Sequence, residues 1–293
     1  MHKSCHLVVE ASQMHLTIAE LSAYLFAGAI LAGFLGSLTG LGGGVVIVPL
    51  LTLVFGVDLR YAIGTSLITV IATSSGAASA FVREGYSNIR IGMFLEIATT
   101  IGALVGAFLG GILSPDLIAI IFGLALTYSA YLSIRPRAEH APLHTSDPIA
   151  LRLKLPSEYP VHGTMVEYGV QKVLAGFGLM GVAGVLSGLL GIGSGAVKVL
   201  AMDQAMKLPF KVSTTTSNFM IGVTAAASAG VYLHRGYIDP VLAMPVVLGV
   251  LGGSLFGAKV LGKSNPRSLR IVFSIVILIM ALEMIYNGAT GRI

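Results

Sequence analysis

The sequence predicts an all-α, polytopic integral membrane protein, and three observations carry that reading. Of 293 residues, 55% are apolar and only 11% charged. Long stretches hold no Asp, Glu, Lys or Arg, and the chain repeats itself at an offset of 151 residues. An ordinary soluble domain is about 25% charged. With a mean hydropathy of +0.88, 37 glycines and no tryptophan, too little polar surface remains to cover a core in water. The expected surroundings are a lipid bilayer. A spanning helix takes roughly 20 apolar residues, so this length admits about 8 to 10 membrane helices and no separate soluble domain.

The charge-free stretches run from Leu21 to Val57, Tyr61 to Val82, Ile97 to Pro115, Leu117 to Ile134 and Val173 to Val197. Residues 1–20 lack the short apolar core and small-residue cleavage pattern of a secretory signal, so the first helix is expected to stay as an anchor. A lone Cys5 excludes an intramolecular disulfide and a cysteine-rich metal site. The net charge of +5 is dispersed between apolar stretches without a basic stripe, which argues against a nucleic-acid partner. No cofactor or metal is expected, and none of the seven histidines forms a ligand cluster.

Sliding the chain by 151 residues places Ala32–Leu132 on Ala183–Glu283 without a gap, and 25 of the 101 pairs are identical. The identities fall where backbone geometry matters, among them Gly33/Gly184, Gly40/Gly191, Gly42/Gly193, Gly44/Gly195, Thr65/Thr216, Ser66/Ser217 and Gly102/Gly253. The expected division is an amino-terminal membrane repeat over residues 1–134, a polar linker over 135–168, and a carboxy-terminal repeat over 169–293.

Each repeat reads in the same order. A long helix comes first (about Leu16–Thr39; Gln171–Leu190), then a glycine-rich break (Gly40–Gly44; Gly191–Gly195) and a short apolar helix (Val45–Phe55; Ala196–Met206). Three ordinary membrane helices follow, at about 61–82, 91–113 and 117–134, and again at 212–233, 240–261 and 269–286. The short helix is the informative element. At eleven residues it covers roughly 17 Å, about half the hydrocarbon thickness, which places its glycine-rich start inside the membrane, where only protein or water can satisfy free backbone groups.

Counting Lys and Arg orients the repeats. If the long and short helices form a hairpin, thirteen of these cations fall on one side, from Arg83 to Arg270, and four on the other, Lys3, Arg60, Arg235 and Arg292. If the two helices together cross once, the division is ten against seven. The first count is biased and the second is not. It predicts inverted-topology repeats with a cytoplasmic linker and both termini periplasmic, an architecture found in secondary transporters with a site near the midplane.

Candidate binding residues follow from this geometry. Gly40, Gly42, Gly43 and Gly44, and Gly191, Gly193, Ser194 and Gly195, begin the two short helices, where exposed N–H groups and the positive helix end attract anions. Lys198 lies one turn after the second break, where the first copy has Ile47. It can balance an anionic substrate, pair with Asp203 or Glu96, or snorkel to an interface. Thr65 and Ser66, with Thr215, Thr216, Ser217 and Asn218, offer neutral donors to an oxyanion, or else bond back to their own helices. Glu96, in a membrane helix where the second copy has Val247, can carry protons if burial raises its pKa; lying five residues from the predicted helix start, it reads as interfacial. Gly102, Gly106 and Gly110, with Gly249, Gly253 and Gly257, read as a helix-packing face.

These motifs, Gly36-Ser-Leu-Thr-Gly-Leu-Gly-Gly-Gly44, Gly64-Thr-Ser66, Gly85-Tyr86, Gly188-Leu-Leu-Gly-Ile-Gly-Ser-Gly195 and Thr215-Thr-Ser-Asn218, resemble the TauE/SafE family of sulfite exporters. The resemblance implies a small sulfur-containing anion, sulfite or an organosulfonate, moved across the bacterial inner membrane, with the glycine motifs and following hydroxyls as its site. The expected function is a secondary transporter, exporting by alternating access, rather than an enzyme. No Gly-x4-Gly-Lys-Ser/Thr motif is present to bind a nucleotide. An anion channel is the alternative, and an intramembrane hydrolase using Ser194 and His234 a remote one. A homo-oligomer is left open.

Overall fold

Both glycine-rich breaks lead into a short helix, and each short helix ends in the same wide turn. In the computed structural model, which describes residues 18–39, 44–83, 86–134, 145–161, 164–261 and 266–293, the amino-terminal half comprises α1 (Ile18–Thr39), α2 (Gly44–Pro49), α3 (Leu59–Arg83), α4 (Ile89–Gly110) and α5 (Pro115–Ile134). The carboxy-terminal half comprises α7 (Val173–Leu190), α8 (Gly195–Leu200), α9 (Phe210–His234), α10 (Pro240–Leu261) and α11 (Pro266–Ala289). After α2 and α8 the helix widens into a π turn, Leu50–Val54 in one half and Ala201–Ala205 in the other. The bonds that close the two turns match under the offset: Val57 N donates to Leu51 O at 3.0 Å, and Leu208 N to Met202 O at 3.1 Å. Pro49 precedes the first turn, but its mate is Leu200, so the missing proline N–H is not what widens the helix.

The exterior explains the composition. α4 turns Met93, Ile97, Ile101, Leu104 and Phe108 outward, all exposed, and buries Gly92, Leu95, Glu96, Thr99, Gly102 and Gly106. Large apolar groups outside and small or polar groups inside suit a helix whose outer face meets lipid. Among the described residues, three helices are long and apolar enough to cross a membrane: Ile89–Gly110, Pro115–Leu132 and Val173–Leu190. Shorter apolar helices are Ala19–Phe34, Gly44–Val54, Pro240–Phe256 and Ser274–Ala289.

The two halves exchange their helices. α1 packs on α10 and α4 on α7, and glycines let these backbones touch. A Cβ on Gly33 would strike the carbonyl of Val250, and one on Gly184, its mate, the carbonyl of Thr99, the mate of Val250. Gly102 meets Gly181 O, and Gly253 meets Ile30 O, again a mated pair. Gly64 abuts Tyr237 O, and its mate Thr215 donates to Tyr86 O at 3.0 Å. Arg60 lies 5.7 Å from the centre of the Tyr237 ring and Lys211 3.6 Å from that of Tyr86, so the cation–π contacts also exchange.

These contacts fix relative directions. Along α4 and α7, Gly102 meets Gly181 and Gly106 meets Val185, so the two helices run the same way. Along α4 and α9, Asn88 meets Thr216, Gly92 meets Phe219 and Glu96 meets Thr224, so these also run together. α7 and α9 are therefore parallel, and the segment between them, with its glycine break and short helix, doubles back. α3 begins beside Tyr237, just past the end of α9, and α9 begins beside Tyr86, just past the end of α3. α3 and α9 run in opposite directions.

The chain is mostly helical, in keeping with the all-α expectation, and the linker adds one small exception. It holds a short helix α6 (Pro148–Arg152) and an antiparallel hairpin, β1 (Ser157–Val161) with β2 (Thr164–Tyr168), in which Glu158 faces Glu167. Tyr159, Val161, Thr164 and Val166 supply the β-favouring residues, too few for a strand signal beside 20-residue apolar runs. Ala150, Leu155, Tyr168 and Val170 are buried with Ile91, Leu95, Met206, Leu208 and Val212, which docks the linker onto the starts of α4 and α9.

Asn88 fastens this docking. Its Oδ1 caps α4 by accepting from Ile91 N at 3.0 Å, and its Nδ2 donates to Leu155 O at 3.0 Å and Tyr168 Oη at 2.7 Å. Asn88→Ala is expected to loosen the linker by about 1 to 3 kcal/mol, read as faster proteolysis within residues 145–168. Burial pushes the Tyr168 hydroxyl up from 10.0 to about 12, against the opposing hydrogen bond from Asn88. The neutral phenol is the docked form, so its contribution is full below pH 10 and is lost as pH rises through about 12. Protease sensitivity of the linker should rise across that window in the wild type and not in Tyr168→Phe.

Candidate functional site

Three residues with left-handed backbone lay out the second glycine break: Gly191 (φ 69°), Gly193 (φ 69°) and Ser194 (φ 44°). Glycine reaches this region without strain, which is why the motif places it there. Gly191 ends α7, its N–H donating to Ser187 O at 2.9 Å. Ser194 Oγ donates to Ala183 O at 2.7 Å, which holds the turn against the helix it has just left. Gly40, Gly42 and Gly43 lie outside the described residues; Gly44 is buried at the start of α2.

Serine hydroxyls from α3 and α9 tie the short helices in place. Ser66 Oγ lies 2.8 Å from Gly191 O and 3.3 Å from Gly44 O, and its mate Ser217 Oγ lies 3.3 Å from Gly195 O. One hydroxyl of the first half thus touches the breaks of both halves. Gly44 sits against Val70, and Gly193 and Gly195 against Ile221, the mate of Val70. Among the described residues, the hydroxyls of Thr65, next to Ser66 in α3, and of Ser187, one turn before Gly191, are buried without a hydrogen-bond partner. Thr216 Oγ1 accepts from Asn88 N at 3.0 Å. Thr215 Oγ1 also lies 3.0 Å from Lys211 O of its own helix, and Asn218 is half-buried. The back-bonding reading therefore holds in part for Thr215 and not for Ser66 or Ser217, whose contacts lie on other elements.

Lys198 is completely buried (0% exposed). Of the readings open to it, snorkelling is excluded: Nζ donates to Thr224 Oγ1 at 2.5 Å, and that hydroxyl lies 2.7 Å from Glu96 Oε1. Glu96 is corrected with it. It is not interfacial but 8% exposed, because its face of α4 packs against α9, where Thr224 meets it. Glu96 Oε1 accepts also from Thr100 at 3.2 Å, and Oε2 is buried without a partner. Asp203, the other partner considered, is buried in the π turn five residues on.

Thr224 is the residue that sequence reasoning missed. Its mate Thr73 is identical, and an in-register hydroxyl between two charged positions was the available signal. The mates of Lys198 and Glu96 are Ile47 and Val247, so the charge belongs to one half-site only. Ser194 is engaged by Ala183 O, while His234 is exposed at the end of α9; no hydrogen bond joins them among the described residues. Among those residues no group of three or more His, Cys, Asp or Glu is placed to hold a metal ion.

A helical chain in which one serine hydroxyl lies against both Gly44 at the start of one short helix and Gly191 in the glycine turn before the other, with a buried row of lysine, threonine and glutamate beside that turn, suits a membrane transporter. The profile of the sulfite exporter TauE/SafE family matches residues 25–284, and the chain belongs to that family. It is similar to the probable membrane transporter protein YunE of Bacillus subtilis, 27% identical over 88% of this chain and 95% of the relative. A probable membrane transporter protein of Methanocaldococcus jannaschii is 30% identical over 87% and 92%. One from Xylella fastidiosa is 26% identical over 93% and 98%. No solved structure matches the chain.

Proposed function

We propose that the protein is a secondary transporter that exports a small sulfur-containing anion, sulfite or an organosulfonate, across the cytoplasmic (inner) membrane. The observation that carries this reading is the meeting of the two breaks: Ser66 bridges Gly44 and Gly191, with the buried Lys198 one turn further on. The anion is held by backbone and hydroxyl donors at this meeting point, with the orphaned Thr65 and Ser187 hydroxyls nearby as further donors. The two halves are inverted repeats, supported by the opposite directions of α3 and α9, which are mates under the offset. The Lys and Arg count supports a cytoplasmic linker and periplasmic termini. Rocking of one half against the other then exposes the site alternately.

Radiolabelled sulfite uptake into proteoliposomes tests the reading. Saturable flux is expected, reduced strongly in Ser66→Ala and abolished in Gly193→Ala, whose Cβ would demand a strained φ of 69° and press on Ile221. Flux without saturation or countertransport would instead make the protein an anion channel. Absence of flux for sulfite, sulfate, thiosulfate and a sulfonate would overturn the substrate class. A reporter fused at residue 145 should face the cytoplasm, and a periplasmic signal there would overturn the topology.

A further inference from the structure

The hydrogen-bonded row Lys198–Thr224–Glu96 joins α8 and α9 of one half to α4 of the other. The Thr224 hydroxyl carries one proton, and its acceptors are Glu96 Oε1 at 2.7 Å and Met220 O at 2.9 Å. Glu96 Oε2 is buried with no hydrogen-bond partner among the described residues. Among the described residues, the surroundings supply no second countercharge. α7, packed on α4, has no titratable side chain; α9 has Lys211, Tyr232 and His234 towards its ends; the turn after α8 has Asp203; and α4 itself has Arg90 at its exposed start. Arg152, Lys154, Glu158 and Glu167 of the linker are exposed, and the buried Tyr168 is bonded to Asn88. The charge that acts on Glu96 is that of Lys198.

A lysine and a carboxylate make this site neutral. An oxyanion entering it would leave two anions to share one buried ammonium, which a low-dielectric interior does not tolerate. We propose that the transported anion displaces the Glu96 carboxylate from Lys198 and that Glu96 takes up one proton from the aqueous side as it is displaced. The balance is simple: carboxylate plus proton gives the carboxylic acid, the anion keeps its bonds, and the site stays neutral. The protonated carboxyl gains a donor for the oxygen that now has no partner. Release of the anion on the other side returns Glu96 to Lys198 and frees the proton there. Ile47 and Val247 at the mated positions cannot repeat the exchange, so one proton accompanies each anion rather than two. The proposal rests on the transporter reading and names the ion that travels with the anion.

Calorimetric titration of the full-length protein in detergent with sulfite, in two buffers of different ionisation enthalpy at one pH, counts the protons taken up. The wild type should take up about one proton per anion beyond what sulfite itself binds on transfer, and Glu96→Gln should take up none beyond it while still binding sulfite. Lys198→Met should bind sulfite at least roughly tenfold more weakly. Equal proton counts in wild type and Glu96→Gln overturn the proposal and leave transport standing. No sulfite binding by the wild type overturns the transport reading and the proposal together. The wild-type count, corrected by the titration of sulfite alone, decides the matter without a variant: a corrected count of zero is sufficient to reject it.

Discussion

Gly106→Leu is expected to yield no folded protein, and Gly253→Leu to fail in the same way. A Cβ at Gly106 would lie on the Val185 carbonyl, and one at Gly253 on the Ile30 carbonyl. In both places the obstacle is backbone of a partner helix, which cannot swing aside as a side chain can. Inserting bulk into a packed interior typically costs about 1 to 3 kcal/mol when neighbours adjust, and here adjustment means parting two helices along their length. Loss of these contacts is not offset by any hydrophobic gain, since separated helices meet lipid that is as apolar as they are. Gly178, on the same α7, has nothing within 4 Å of the position that a Cβ would take; Gly178→Ala should be neutral or stabilising by up to about 1 kcal/mol. A monodisperse, wild-type-like elution and melting temperature for Gly106→Leu would show that the close approach is dispensable.

Lys198→Met has the second-largest expected effect, a destabilisation of about 3 to 5 kcal/mol from leaving the Glu96 carboxylate buried without its countercharge. The double variant Lys198→Met with Glu96→Gln should regain most of that loss, because a neutral amide keeps the Thr224 contact without an ionic partner. Thermal unfolding of the two single variants and the double variant in one detergent closes the cycle. Strict additivity would mean that the row of residues does not couple in the folded protein.

Much of this was legible in the sequence, for identifiable reasons. Helix positions were readable because lipid imposes length and polarity on each segment, and the boundaries of α10 agree at both ends with the stretch 240–261. The short helices were readable because eleven residues are too few to cross. The packing role of Gly102 and Gly253 was readable from four-residue spacing, and their contacts bear it out. What could not be read was which helix each face meets. Glu96 was misplaced because its burial depends on α9 packing against the same face of α4, a contact between the halves that no local pattern records, and the linker's hairpin is too short to register against its surroundings. Thr224 was missed because a threonine gains meaning only from Lys198 and Glu96, which lie on different elements and, for Glu96, in the other half of the chain.

The exchange of helices between the halves has a consequence for biosynthesis. Among the described residues, α1 meets α10 backbone to backbone at Gly249, Val250 and Gly253, late in the chain, so it enters the bilayer long before α10 has been made. Until then its glycine face is turned to lipid or to a chaperone. Each half alone leaves its long helices without their backbone partners, so each half produced alone should be a target for membrane proteases, and the two produced together from separate messages should protect one another.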